Sequence, residues 1–93
     1  MRTIERSTQF ERDSKRESKG RHAASLNADL IPLLRALAED APSDAPDRDH
    51  ALTGDWSGSR DCHVKPDLVL IYRKPDADTL RLARLGSHSD VFG

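Results

Sequence analysis

Apolar positions along the 93-residue chain are sparse at the start, helical in the middle and strand-like towards the end. In Thr3-Ile4-Glu5-Arg6-Ser7 only Ile4 is clearly apolar, a weak pattern that fits a short strand. Residues 9–21 contain no proline and set Arg12, Lys15, Arg16 and Lys19 on one helical face, with Gly20 as a stop signal. The next segment carries Leu26, Leu30, Leu33, Leu34, Leu37 and Ala38 at helical spacing, a stripe that must face a core. Its start lies between Ser25 and Asp29. With Asp29 as N-cap, Pro32 falls in the first turn, where its missing N–H costs little.

After Asp40 the sequence becomes APSDAPDRD, and nothing periodic returns until about Trp56, which predicts a long loop with His50 near its end. Three strands follow: a polar one at residues 59–64, a nearly continuous apolar and therefore central one at 68–73, and an alternating one at 79–85. Lys65-Pro66-Asp67 and residues 74–78 supply the turns, because Pro presets the first central turn position and Asp tolerates the second. The expected fold is therefore α+β, in the order β-α-α-β-β-β. Two helices cover one face of a small, mainly antiparallel sheet through Leu30, Leu33, Leu34 and Leu37, and the first strand joins at an edge that the pattern leaves open. Residues 1–93 read as one domain, with no internal repeat.

Composition narrows the function. An apolar fraction of 35% gives a thin core, which a partner chain would help to cover. The net charge of −1 hides a gradient: residues 1–21 hold seven Lys/Arg against four Asp/Glu, and residues 22–46 hold one against four. A near-neutral whole argues against a purely electrostatic nucleic-acid binder, although a local basic face can still hold phosphates. Cys62 is the lone cysteine and no apolar run reaches the length of a signal or membrane span, so the expected compartment is the cytoplasm and no membrane partner is expected.

The meander brings chemistry together. The chain leaves the Pro66 turn at Asp67, runs to the second turn and returns to Gly86, so His88 should come back beside Asp67, with His63 at the same end. The opposite end of such a strand lies about 20 Å away, and flanking strands line a gap of roughly 10 Å, wide enough for one phosphodiester. Cutting RNA without a metal needs a base for the 2′-hydroxyl, an acid for the departing 5′-oxygen and cations for the charge building on phosphorus. Imidazole serves both proton roles. Arg84 shares parity with Leu82, which puts a cation on the face of two leucines close to the cluster.

The run His50-x-Leu52-x-Gly54-x-Trp56-x-Gly58-x-Arg60-Asp61-x-His63-Val64-x-Pro66-Asp67-x-x-Leu70-Ile71-Tyr72, followed by Arg84-x-Gly86-x-His88 and Phe92-Gly93, resembles the YafQ-type toxins of the RelE/ParE superfamily. The amino half matches more loosely, through Phe10-x-x-Asp13-x-Lys15 and the leucine-rich helix. The resemblance implies a RelE-like, microbial-RNase type of fold and a ribosome-dependent endoribonuclease that cuts mRNA and is neutralised by a cognate antitoxin, with no cofactor and no metal. It places His50, His63, Asp67 and His88 in the catalytic set and Phe92 near the substrate. In the roles we assign, His88 is the general acid, Asp67 or His50 the base, Arg84 the ligand of the scissile phosphate, with Arg60 a further phosphate contact, and His63 an orienting group.

Plainer readings stand beside these. Arg12, Lys15, Arg16 and Lys19 read as a solvated face; Arg60 pairs equally well with Asp61 as surface charge; Trp56 and Tyr72 read as structural and Cys62 as a small filler; His22 lies outside the cluster as an ordinary surface residue. Three His and an Asp also suit Zn²⁺, but their spacing lacks a short paired motif. The remaining alternative is a ParE-like toxin that inhibits a protein target such as DNA gyrase without cutting RNA.

Overall fold

The computed structural model describes residues 1–40 and 49–92, apart from the side chains of residues 49, 50 and 55. Most of the expected long loop, residues 41–48, lies outside the described residues. The elements are β1 (Thr3–Arg6), α1 (Thr8–Glu17), α2 (Leu26–Ala38), β2 (Asp49–Ala51), a 3-10 turn at Gly54–Trp56, β3 (Arg60–Lys65), β4 (Leu68–Arg73), β5 (Thr79–Gly86) and α3 (His88–Phe92). The strands form one sheet in the order β1-β5-β4-β3-β2. β1 runs parallel to β5 at the open edge, and the other pairs are antiparallel.

Ser7 starts α1 as its N-cap. Its hydroxyl accepts the Phe10 N–H at 2.9 Å and donates to the Ala83 carbonyl at 2.9 Å, joining the helix start to β5. The helix ends at Glu17, short of the expected Arg21. The Ser18 hydroxyl donates to the Lys15 carbonyl at 2.7 Å, and the chain turns through Gly20. α2 begins one residue after Ser25, so Asp29 is not its cap and Pro32 lies inside the helix. Of the two starts that the sequence leaves open, Ser25 and Asp29, the structure takes the first, and Pro32 therefore does not fall in the first turn. The Ala28 carbonyl loses its helical donor, a cost that Leu26, Leu30, Leu34 and Ala38 offset by burying at four-residue intervals against the sheet.

The meander has the predicted course. Leu68 to Tyr72 of β4 are all buried, as a central strand requires. Phe10, the α2 leucines, Cys62, Leu68, Leu70, Tyr72, Leu80, Leu82 and Leu85 form the core on the helix-covered face. Val69 and Ile71 bury on the other face, where α3 closes over β4 and β5 with Val91 turned inward. Two elements escaped the sequence reading. β2 has three residues, too few to show a period, and it places His50 on an edge strand where a mobile loop was expected. α3 has five residues, yet Ser87-x-x-Asp90 is a legible cap. The Ser87 N–H donates to the Asp90 carboxylate at 3.2 Å, and the Asp90 N–H donates to the Ser87 hydroxyl at 3.1 Å.

Candidate active site

The histidine of β3 faces away from the helices because of strand alternation. His63 pairs with Val69, while its neighbour Cys62 pairs with Leu70 inside the core. On the far side α3 presents His88 and Phe92, four residues apart and so on one helical face. The ring centroids of His63 and His88 are 5.7 Å apart, and those of His88 and Phe92 are 5.3 Å apart. His63, half-buried, keeps its Nδ1 buried and without a hydrogen-bond partner, whereas His88 and Phe92 are exposed. This stack offers one partly desolvated imidazole, one solvent-facing imidazole and an aromatic face within a nucleotide's reach.

Asp67 stands at the same end of the sheet, since Val69 pairs with Gly86 two positions further in. Its carboxylate, however, turns to the α1–α2 connection. Oδ1 lies 2.9 Å from His22 Nε2, and Oδ2 accepts from Arg21 at 3.3 Å. The hydrogen bond from His22 is the main cause that holds this carboxyl below the ordinary aspartate range. A cleft of about 320 Å³ opens here, lined by Arg16, Gly20, His22, Asp67, Ser87 and Asp90 among others. His22 was read as an ordinary surface residue; the structure places it on Asp67. No local signal in the sequence announces the pair, whose members are 45 positions apart.

Three further residues sit differently from expectation. A bulge at Ala83 resets the alternation of β5: Leu82 pairs with Tyr72 but Arg84 pairs with Ile71, so Leu85, not Arg84, continues the leucine face. The parity argument for Arg84 fails for that reason. Its guanidinium donates to Asp13 at 2.7 Å and to the Asp90 carbonyl at 3.4 Å, which ties α3 to α1. Arg60 pairs with Tyr72, at the end of β3 away from the Pro66 turn and in register with the helix-covered face, so it does not join the cluster. The register sets the His50 backbone opposite Asp61, a buried residue whose Oδ1 has no hydrogen-bond partner. Among the described residues, no helix is long and apolar enough to cross a membrane, and no group of three or more His, Cys, Asp or Glu could hold a metal ion.

An α+β sheet with two helices on one face is the fold of small bacterial toxins of type II toxin–antitoxin systems, as the following comparisons show. The chain belongs to the YafQ family: the profile described as "Bacterial toxin of type II toxin-antitoxin system, YafQ" matches residues 2–93. The mRNA interferase toxin YafQ of Escherichia coli strain K12 is 39% identical over 93 residues, covering 100% of this chain and 98% of the relative. The toxin in the crystal structure of the E. coli DinJ-YafQ complex is 38% identical and superposes with a TM-score of 0.82, covering 100% of each chain. A metal-bound toxin from Helicobacter pylori is 41% identical with a TM-score of 0.85, covering 99% of this chain and 100% of the other. The α+β fold expected from the sequence is thus the fold of its relatives.

Proposed function

We propose that this chain is an mRNA endoribonuclease that acts on the ribosome and is held inactive by a cognate antitoxin. The observation that carries the reading is the His63–His88–Phe92 stack on the helix-free side of the sheet. In the reaction a base removes the 2′-hydroxyl proton, the freed oxygen bonds to phosphorus, the bond to the 5′-oxygen breaks, and an acid protonates that leaving oxygen. The products are a 2′,3′-cyclic phosphate and a 5′-hydroxyl.

His88 suits the acid, being exposed on α3 beside the ring of Phe92, which supplies a stacking surface for a base. His63 orients His88 through the ring contact. Asp67, held ionised below the usual carboxylate range by His22, is a weak base at neutral pH, so we assign proton abstraction to His50 and electrostatic placement to Asp67. Arg84 supports the site by fixing α3, because its charge is already met by Asp13. Arg60, remote from the stack, has at most a peripheral phosphate contact.

His88→Ala is expected to lower cleavage of translated mRNA by at least about 100-fold and to relieve growth arrest, measured by primer extension after induction. Cleavage at the wild-type rate by that variant would remove the assignment. Naked RNA should stay whole without ribosomes. Because a related toxin binds metal, cleavage is also measured in excess EDTA, where full activity is expected; its loss would replace the metal-free scheme. Growth arrest with intact mRNA would favour a protein target.

A further inference from the structure

We infer that His22 is a positioning residue for Asp67, fixing the carboxylate that the proposed nuclease site uses; the inference rests on that reading of the site. Asp67 sits in the tight turn between β3 and β4 with its side chain 46% exposed, a setting in which an aspartate normally samples several rotamers. Here each carboxylate oxygen has its own donor, His22 on Oδ1 and Arg21 on Oδ2, which sets both side-chain torsions.

The two donors are unequal. Arg21 is 79% exposed, and an ion pair of that kind contributes little order. His22 is only 21% exposed and its backbone is anchored on both sides, with the Ala23 N–H donating to the Gly20 carbonyl and the Ser25 N–H donating to the His22 carbonyl, each at 3.1 Å. The ring is the fixed member of the pair, and the carboxylate is the presented one. A second tie holds the adjoining end of β3: Lys65, two residues before Asp67, donates to Asp29 in the first turn of α2. The chain around the β3–β4 turn is therefore held at two points, at Asp67 by the α1–α2 connection and at Lys65 by α2. Asp67 lines the same cleft as Ser87 and Asp90, which flank His88 in sequence.

The distinguishing readout is donation by a group that cannot transfer protons. Purified His22→Ala, His22→Gln, Asp67→Asn and the His22→Ala/Asp67→Asn double variant are compared for single-turnover mRNA cleavage in a translating extract, with a thermal melt of each. We expect His22→Ala to slow cleavage by about 10-fold or more, as small misplacements of reacting groups do, with little change in the melt. Gln should restore most of the rate, since its amide N–H reaches the same oxygen. Asp67→Asn should slow cleavage, and adding His22→Ala to it should change the rate less than about 2-fold, because residues that act as one unit are not additive. The inference is overturned by a wild-type rate for His22→Ala, by a wild-type rate for Asp67→Asn, by Gln as slow as Ala, or by an undiminished Ala effect in the Asn background. If the wild-type chain itself leaves mRNA whole, the nuclease reading fails and takes this one with it; if the wild type cuts and only the His22 series is flat, the inference alone fails.

Discussion

Asp13 shows how one side chain can organise a sheet edge. β1 pairs with β5 only as far as Leu82, so beyond that point the edge of β5 turned away from β4 faces no strand. Asp13 fills the gap: fully buried, it accepts the Leu85 N–H at 3.0 Å and the Arg84 guanidinium at 2.7 Å, while Arg16 donates to the Leu85 carbonyl at 3.1 Å. Burial alone would raise its pKa, but the hydrogen bonds from Arg84, Leu85 and Gln9 prevail and lower it. A depressed folded value means that this stabilisation is present above the ordinary carboxylate value and is lost as pH falls through the folded value, below about pH 4. Asp13→Asn should cost about 3 kcal/mol in urea unfolding at pH 7, because Arg84 is left partly buried without its counter-charge, and the acid limb of the stability profile should flatten. An unchanged midpoint would show that Asp13 does not hold the edge. In the sequence Asp13 reads as one more polar position on a charged helix, because its partner lies 71 residues away. His63, Asp67 and His88 were legible at one end of the sheet because two tight turns fix where the strands reverse; the bond from His22 to Asp67 was not, since no turn or period connects them.

At the level of elements, α3 depends on a residue that has no side chain. Gly86 ends β5 opposite Val69, and a Cβ built there would meet an Arg16 guanidinium nitrogen at 2.9 Å and Asp90 Cβ at 3.0 Å. Arg16 can swing aside, but Asp90 Cβ is fixed to the helix backbone, so α3 itself would have to move. Gly86→Ala should therefore cost about 1–3 kcal/mol as overpacking does, and it should separate the His88 ring from His63. Thermal melts read the first effect, and the imidazole resonances of His63 and His88 read the second. Retention of both would mean that the α3 contact gives freely. The same region shows where sequence reasoning stops. Alternation is a sound guide along β5 until the bulge at Ala83, and a bulge leaves no mark in hydrophobic pattern, so Arg84 was put on the wrong face while Leu80 and Leu82 were placed correctly. The sequence leaves the start of α2 open between Ser25 and Asp29 because helix-start chemistry is available at both; the structure takes the earlier start, which buries Leu26 and leaves Pro32 inside the helix.

Across the whole molecule, a net charge of −1 conceals an uneven use of cations. Arg2, Arg16, Arg21, Lys65, Lys74, Arg81 and Arg84 each have a carboxylate partner. Arg12, Lys15 and Lys19 have none among the described residues; they stand exposed at helical spacing on and just beyond α1, and the stripe runs towards Gly20, which lines the cleft at Asp67. On the proposed function, these three, which share one exposed helical stripe beside the cleft, meet ribosomal phosphate, and a local stripe suffices because only the facing side of a molecule enters the contact. Replacing all three by Gln should weaken ribosome binding and make the slope of log affinity against log salt less negative by about 2, at roughly 0.7 for each single-strand phosphate that is no longer neutralised. The fold should be indifferent, since none of the three is buried. Sedimentation with ribosomes over a salt series, beside a thermal melt, separates the two effects. A triple variant with the wild-type salt slope would assign the phosphate contacts to another surface and return this face to the solvent.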